Sequence, residues 1–346
     1  MIDVQRLRVL RAVADHGSFN RAAAFLRITP SAVSQQVAAL ERGLGAQVVA
    51  RSTRGVTLTP AGHIMVAAAE SVAAELSQAR QRVAQLATGR ARLTVAAFTS
   101  GGRLLLPGAF TRLLAVHPHT ELHVREGEPE DTLPLVRQGA VDLALAYHFD
   151  GPLPSGPGHG AGLRWTPLLE DPLYVVLPQE HRLADRDALD LAELAAEPWV
   201  LGCLKTEAYL RRHAERAGFE PKVHGTTTDY FFARSLVAAG AGISLIPAIG
   251  LTLETPAIGL TPESPAIGLT PETPSIGLTP DIPGLRAVPI KAPTPIRYIG
   301  VAAIDHGNRP HVTTFIHALR EQAAVHGSPG TEPGSPTSGR LGGNHR

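Results

Sequence analysis

Residues 18–60, SFNRAAAFLRITPSAVSQQVAALERGLGAQVVARSTRGVTLTP, carry the most ordered alternation of apolar and polar positions in the chain. The pattern predicts two short helices separated by a three-residue break, followed by a basic, Gly-containing turn. Ala22, Ala23 and Leu26 give the first helix a small-residue packing face, with Ser18 placed to cap it. Thr29 before Pro30 marks the start of the second. A hydroxyl there takes an orphan amide, and proline sits where its missing N–H costs nothing. Val33, Val37, Leu40 and Leu44 recur at spacings of four, three and four and form one apolar stripe. The other side carries Ser31, Ser34 and Gln35, short hydrogen-bonding groups with no acid among them. A helix with a dry back and an uncharged donor/acceptor front suits the major groove, where base edges are read by such groups. The plainer alternative is a helical hairpin whose polar face meets only water. The basic loop weighs against it: Arg51, Ser52, Thr53, Arg54 and Gly55 separate two β-prone runs, 47–50 and 56–59. That pattern reads as a wing whose arginines meet phosphates while the helix reads bases.

The heptad-like run that follows, Met65, Ala69, Val72, Leu76, Ala79, Val83 and Leu86, alternates spacings of four and three up to Gly89. It predicts a helix about 40 Å long with a coiled-coil seam. Packing against its own domain is the alternative. From Leu93 the pattern changes to short apolar strands alternating with helices: strands at 93–98, 121–126, 141–147, 173–178 and 198–202. Helices are expected near 105–114 and over 131–138, 189–195, 206–217 and 229–239. Such alternation predicts parallel sheets covered by helices. Between 247 and 283 a nine-residue unit recurs as PAIGLTLET, PAIGLTPES, PAIGLTPET and PSIGLTPDI. Its prolines disfavour a β-solenoid and favour extended or turn-rich chain, expected to be a solvated loop of little functional demand, with a partner-binding tether as the alternative. The Gly/Ser/Pro-rich tail, 326–346, is expected to be disordered.

The N-terminal segment resembles the DNA-binding domain of LysR-type transcriptional regulators in three runs: AA-x-x-L, TPSAVSQQVAALERGLG and R-x-x-R-G-V-x-LTPAG. The likeness covers residues 3–62. It departs where the family usually has Leu-Phe before the wing arginine, since Val48, Val49 and Ala50 stand there. The resemblance implies an α/β protein in three parts. A winged helix-turn-helix (1–60) and a linker helix that pairs two subunits (61–89) precede an effector domain of two Rossmann-like, periplasmic-binding-protein-like subdomains (91–325). Subdomain I would take 91–165 and 294–325, subdomain II 168–290, with the repeat at 247–283 as an insertion. It also implies a homodimer, and beyond it a homotetramer, on promoter DNA bearing an interrupted palindrome, controlled by a small-molecule effector.

Charge sharpens this picture. The 346-residue chain carries only +1 overall, but residues 1–90 hold eleven Arg, no Lys and five acids, or +6, leaving −5 for the rest. A basic head on an acidic body fits a DNA-binding sensor. One cysteine, Cys203, excludes an internal disulfide and leaves an oxidised thiol without a resolving partner. No apolar stretch approaches the roughly 18–20 residues of a membrane span, and the N-terminus lacks a signal-peptide core, so a cytoplasmic protein without membrane contact is expected.

Thr99 and Ser100 follow the first strand of the body, just ahead of a helix, where hydroxyls, amides and the helix dipole make an anion cradle. Simple capping by Ser100 is the competing role. Tyr147, His148, the 202–206 loop with Thr206, and Thr227 and Thr228 lie at other strand ends, where open α/β sheets bind ligands. His117, His119 and His123 invite a metal, but Pro118 breaks helical spacing and no carboxylate or Cys completes a site. No cofactor motif, nucleophile elbow or paired-carboxylate arrangement supports an enzyme. The rival function is a small-molecule-binding or catalytic α/β protein with a helical oligomerisation arm.

Overall fold

The computed structural model of the chain describes residues 3–52, 55–149, 151, 163–251, 284–304 and 309–326. Residues 252–283 of the repeat, the tail from 327, and Thr53 and Arg54 lie outside the described residues, whereas the first five residues of the repeat, 247–251, are described.

Three helices, α1 (Val4–His16), α2 (Phe19–Leu26) and α3 (Pro30–Leu44), enclose the core of the head. Val9, Leu10 and Val13 of α1 are fully buried with Val33, Val37 and Leu40 of α3. Thr29 caps α3 by accepting the Ala32 N–H at 3.2 Å, a contact worth about 1 kcal/mol. Ser18 occupies the cap position of α2, but its side chain makes no cap hydrogen bond. The wing is a hairpin of β1 (Val49–Ser52) and β2 (Gly55–Leu58), with Val49 opposite Leu58. The first strand starts two residues later than the apolar run predicts. The Glu41 carboxylate takes the Val48 N–H at 2.9 Å and that of Val49 at 3.4 Å, so the chain before β1 is tied to α3. Val48 and Val49 are both buried in the head core. They fill the place where the family has Leu-Phe.

The linker, α4 (Pro60–Thr88), is one helix of 29 residues capped by Thr59. Gly62 is required near its start: a Cβ there would stand 2.0 Å from the Val48 carbonyl oxygen. Its seam divides in two. Met65, Ala69 and Val72 pack into the head core, whereas Leu76, Val83 and Leu86 are 51, 67 and 87 % exposed. The helix also rests on the body, where the Ser77 hydroxyl donates to the Gly139 carbonyl at 2.5 Å.

The body is built on one seven-stranded sheet and a separate parallel pair. Lobe I contains β3 (Arg92–Ala97), β4 (Glu121–Glu126) and β5 (Leu143–His148), with β3 parallel to both neighbours. Helices α5 (Thr99–Val116), α6 (Pro129–Arg137) and α9 (Pro310–His326) cover it. Lobe II contains the pair β7 (Pro198–Leu201) and β8 (Lys222–Thr226), the strands β9 (Ser244–Pro247) and β10 (Leu285–Pro289), and helices α7 (Leu204–Arg216) and α8 (Tyr230–Ala238). Two strands join the lobes: β6 (Arg164–Pro178) and β11 (Ile296–Ala303).

The first half of β6 pairs with β11, and its second half pairs with β10 and β9. Both connecting strands run antiparallel to their neighbours. The sheet is therefore mixed, where strand–helix alternation predicts parallel pairing. Parallel pairing holds only within βαβ units, and strands that pass between lobes do not belong to one. A single 3-10 turn, Leu191–Leu194, replaces the helix expected over 189–195. Each lobe has its own apolar core, one around Leu105, Leu143, Val301 and Phe315, the other around Leu173, Leu189, Trp199 and Leu245.

Candidate functional site

Two places in the molecule gather recognition chemistry. The first is the front of α3. Ser31 and Gln35 are exposed and Ser34 is half-buried, while the opposite stripe of Val33, Val37 and Leu40 is sealed in the core. The Ser31 hydroxyl lies 2.9 Å from that of Thr29, so cap and front share one hydroxyl cluster at the helix start beside Pro30. Arg51 lies on β1 of the wing.

The second is the cleft between the lobes, and its centre is a residue that strand-end reasoning does not reach. Arg297 on β11 lies directly across from Asp171 on β6. Its Nε donates to the Asp171 carboxylate at 2.6 Å, and both side chains are only 1 % exposed. Asp171 also accepts the Ile249 N–H at 3.0 Å. The other arm of Arg297 donates to the Ser100 hydroxyl at 3.0 Å. Burial works against the guanidinium charge, but the Asp171 carboxylate and the Tyr230 and Tyr147 rings outweigh it and raise the pKa of Arg297. The rings of Phe98, Tyr147 and Tyr230 lie within 5.0, 4.8 and 5.7 Å of the guanidinium carbon. The buried cation is thus met by a carboxylate on one side and aromatic faces around it, although burial still raises the Asp171 carboxyl above its ordinary range.

Lobe II closes over this centre. The Tyr147 hydroxyl donates to Glu128 at 2.7 Å and lies 3.3 Å from the Cys203 sulfur. Burial, with Cys203 next in effect, raises the Tyr147 phenol and keeps it protonated as a donor. Lys205, on α7, bridges to Glu130 of α6 at 2.7 Å. Gly202 and Cys203 lead into α7 beside Tyr230. A Cβ on Gly202 would meet the Tyr230 ring at 2.5 Å, so only glycine permits this approach. The space left among Ser100, Tyr147, Cys203, Thr228 and Arg297 is about 10 Å³. That is roughly room for one water molecule.

Of the strand-end residues, the fold brings Thr99, Ser100, Tyr147 and Thr228 to the cleft. Ser100 is not the cap of α5. That position is Phe98, which makes no side-chain cap bond, so the Ser100 hydroxyl is free to meet Arg297. Thr99 donates to Glu126 at 2.5 Å. Two other residues do not reach the cleft. Strand β5 runs on to His148, so its side chain falls on the other face from Tyr147, against Trp165 and Tyr298 at ring distances of 5.2 and 5.7 Å. Thr206 is fully buried and meets the Tyr230 hydroxyl at 2.8 Å, behind the cleft wall. The Thr227 hydroxyl donates to the Asp229 carbonyl in the turn before α8. Among the described residues no group of three His, Cys, Asp or Glu side chains is arranged to hold a metal. His117 instead meets the Thr314 hydroxyl at 3.2 Å. No helix of the described residues is long and apolar enough to cross a membrane.

Comparison with known proteins places both regions. Residues 4–63 match the family model "Bacterial regulatory helix-turn-helix protein, lysR family", and residues 87–263 match "LysR substrate binding domain". The chain is 30 % identical over 257 residues to the uncharacterized HTH-type transcriptional regulator YnfL of Escherichia coli (strain K12), covering 71 % of this chain and 82 % of that one. It is 31 % identical over 255 residues to a probable hydrogen peroxide-inducible genes activator of Mycobacterium avium, covering 72 % and 78 %. Among solved structures, full-length BenM superposes with a TM-score of 0.52 at 22 % identity, over 94 % of this chain and 98 % of that one. A hydrogen peroxide-bound OxyR mutant from Corynebacterium glutamicum gives 0.50 at 25 %, over 93 % and 96 %. The chain belongs to the LysR family of bacterial regulatory helix-turn-helix proteins, as a DNA-binding transcription regulator with an effector-binding domain.

Proposed function

We propose that this regulator works in the cytoplasm as a dimer, reading an interrupted palindrome with two copies of α3 and switching on a small effector in the interlobe cleft. Thr29, Pro30, Ser31, Ser34 and Gln35 would face base edges and nearby phosphates, while Arg51 and Arg54 hold the backbone. The observation that carries this reading is the front of α3: uncharged and donor-rich, with Ser31 and Gln35 exposed, within residues 1–90 of net charge +6. Exposed Leu76, Val83 and Leu86 on α4 supply the seam for the second copy. Residues 1–60, 61–89 and 91–325 then divide the work into reading, pairing and sensing. On this reading the cleft acts by binding and not by turnover, its arginine held by Asp171 and Ser100 and the Tyr147 hydroxyl by Glu128. A catalytic α/β protein with a helical arm would turn over a substrate without DNA.

Nuclease protection on the region upstream of its own gene tests the proposal. Two protected half-sites are expected, separated by whole turns of about 10–10.5 base pairs. Leu86→Glu should reduce the footprint to weak, unpaired contacts. A full footprint from that variant would refute pairing through α4.

One observation favours a particular effector. Cys203 lies in a space for one water-sized molecule, and one relative is by name a probable hydrogen peroxide-inducible genes activator. Peroxide would add one oxygen to the thiol, forming the S–O bond as the O–O bond breaks and leaving a sulfenic acid and water. With one cysteine in the chain, that sulfur has no in-chain partner. Mass spectrometry after peroxide treatment, alongside promoter output for wild type and Cys203→Ser, decides. One added oxygen with an altered wild-type output supports the reading, and an equal response in the variant removes it.

A further inference from the structure

Lobe II holds a second concavity that shares no lining residue with the cleft. It lies between the C-terminal half of α7 and the chain from 290 to 295, and its volume is about 230 Å³. Leu210, Leu245, Ile290 and Pro295 are buried and form its floor. An apolar cavity of about 150 Å³ suffices for one six-membered ring, so this space takes a ring or a short branched chain with a polar head to spare. The rim supplies the partner for that head. Arg216 and Lys291 are exposed beside the opening, and among the described residues neither is in a salt bridge. His213 joins them, its Nδ1 held by the Tyr209 carbonyl at 2.8 Å. The acid on the rim, Asp190, already accepts the Ala192 N–H in its own turn.

We infer that this pocket is a binding site for a short branched or cyclic aliphatic monocarboxylate, coupled to the cleft through α7 and a ladder of aromatic rings. The aliphatic floor excludes water from the tail, and the two cations meet the carboxylate at the rim, the division of labour expected of a small-molecule site. The coupling is geometric. Helix α7 starts at the cleft with Cys203 as its cap and ends at the pocket with Arg216. Rings bridge the same distance: His213 on Tyr209 at 4.0 Å, Tyr209 on Phe149 at 4.6 Å, and Phe149 on Tyr147 at 5.8 Å. Tyr147 is the residue whose hydroxyl meets Cys203 and Glu128. Displacement of Tyr209 by an occupant therefore reaches the cleft without crossing solvent. Binding in the pocket is independent of the cleft reading, and only its effect on switching rests on it.

Titration calorimetry on the full-length protein tests this with 4-methylpentanoate, and with 4-methylpentanamide as the neutral probe of the same shape. The acid should bind once per chain, and more tightly than the amide. Arg216→Ala with Lys291→Ala, both surface changes, should weaken the acid about tenfold or more and leave the amide unchanged. Ala217→Phe, at the pocket wall, should remove binding of both. Ser100→Ala should change acid binding far less than the double variant does, which separates this pocket from the cleft to which it is coupled. The inference is overturned if the acid gives no heat, if acid and amide bind alike, or if acid binding survives the double variant. It is also overturned if Ser100→Ala weakens acid binding as much as the double variant does, or if binding emerges only after deletion of residues 256–282, which would make the repeat the occupant.

Discussion

The head and the cleft recognise their partners from opposite starting points. The proposed reading face of α3 is Ser31, Ser34 and Gln35, exposed or half-buried near the helix start, held in place by an apolar stripe on the back of the same helix. The cleft is assembled from α5, α6, α7, α8, the end of β5 and two connecting strands, and its central polar groups, Arg297, Asp171, Ser100 and Tyr147, are buried and already hydrogen-bonded. DNA adds contacts to a surface that has few, so little is given up on binding. An effector must replace existing contacts or open the lobes, so only a ligand that reproduces those hydrogen bonds gains from entry. Affinity in the head is thus set by what is added, and in the cleft by what is exchanged.

Removing one partner of the central ion pair should break this contrast most severely. Asp171→Ala leaves Arg297 buried without its carboxylate, a loss of about 3–5 kcal/mol. Thermal unfolding followed by circular dichroism should show a markedly lowered transition for the body, with head helices retained. A transition within a degree or so of wild type would show that the pair contributes nothing. The reverse perturbation belongs to the head. Gln35→Ala should cost on the order of 1–3 kcal/mol at a single base position, whereas Arg51→Ala should weaken all sequences and lower the salt slope by roughly one unit. Neither should move the unfolding transition. Equal losses for Gln35→Ala on specific and random DNA would take α3 out of the major groove.

Ser100→Ala sharpens the comparison further, because it removes a hydroxyl that Arg297 uses while sparing the ion pair. The change should cost about 1 kcal/mol, or up to about 3 if the effector is charged. Promoter occupancy should persist while the effector needed for half-maximal output rises roughly tenfold, 1.4 kcal/mol being one decade. An unchanged dose response would place the effector away from Ser100. The smallest effect is expected from deleting residues 256–282. Loop closure changes by only about 0.6 kcal/mol per doubling of length, so folding, DNA binding and effector response should stay close to wild type. Loss of any of the three would give the repeat a structural or binding role.

The same contrast governs how much was legible in the sequence. Helix α3 is readable because its cap, its proline and its apolar spacing follow one another within fifteen residues. The placement of Ser100 and Tyr147 at the cleft is readable because both stand at strand ends. His148 is misplaced by that rule because β5 continues one residue beyond the apolar run, and side chains alternate across a strand. Thr206 is polar and near the cleft, yet a buried hydroxyl needs a partner, and Tyr230 supplies it. Asp171 and Arg297 are 126 residues apart, and no local pattern pairs them. A signal was nonetheless present: an arginine inside the apolar strand IRYIGVAA implies a buried charge in need of an acid. The first half of β6 escaped for a related reason, since RWTPLLED mixes a proline, acids and apolar residues without a period of two. Within α4, periodicity predicts one seam, and only packing divides it between head and solvent.

The placement of that arginine and aspartate on neighbouring strands has an evolutionary consequence. Both stand on β6 and β11, the strands shared by the lobes, and not on the loops that face each other across the gap. Lobe movement leaves the pair intact, so it serves as a fixed post about which the rest of the wall can vary. With the effector in the cleft as proposed, substitutions at Thr99, Cys203 or Thr228 would alter which molecule is sensed without exposing a bare charge. On that reading, a change of signal would leave the switch itself in place.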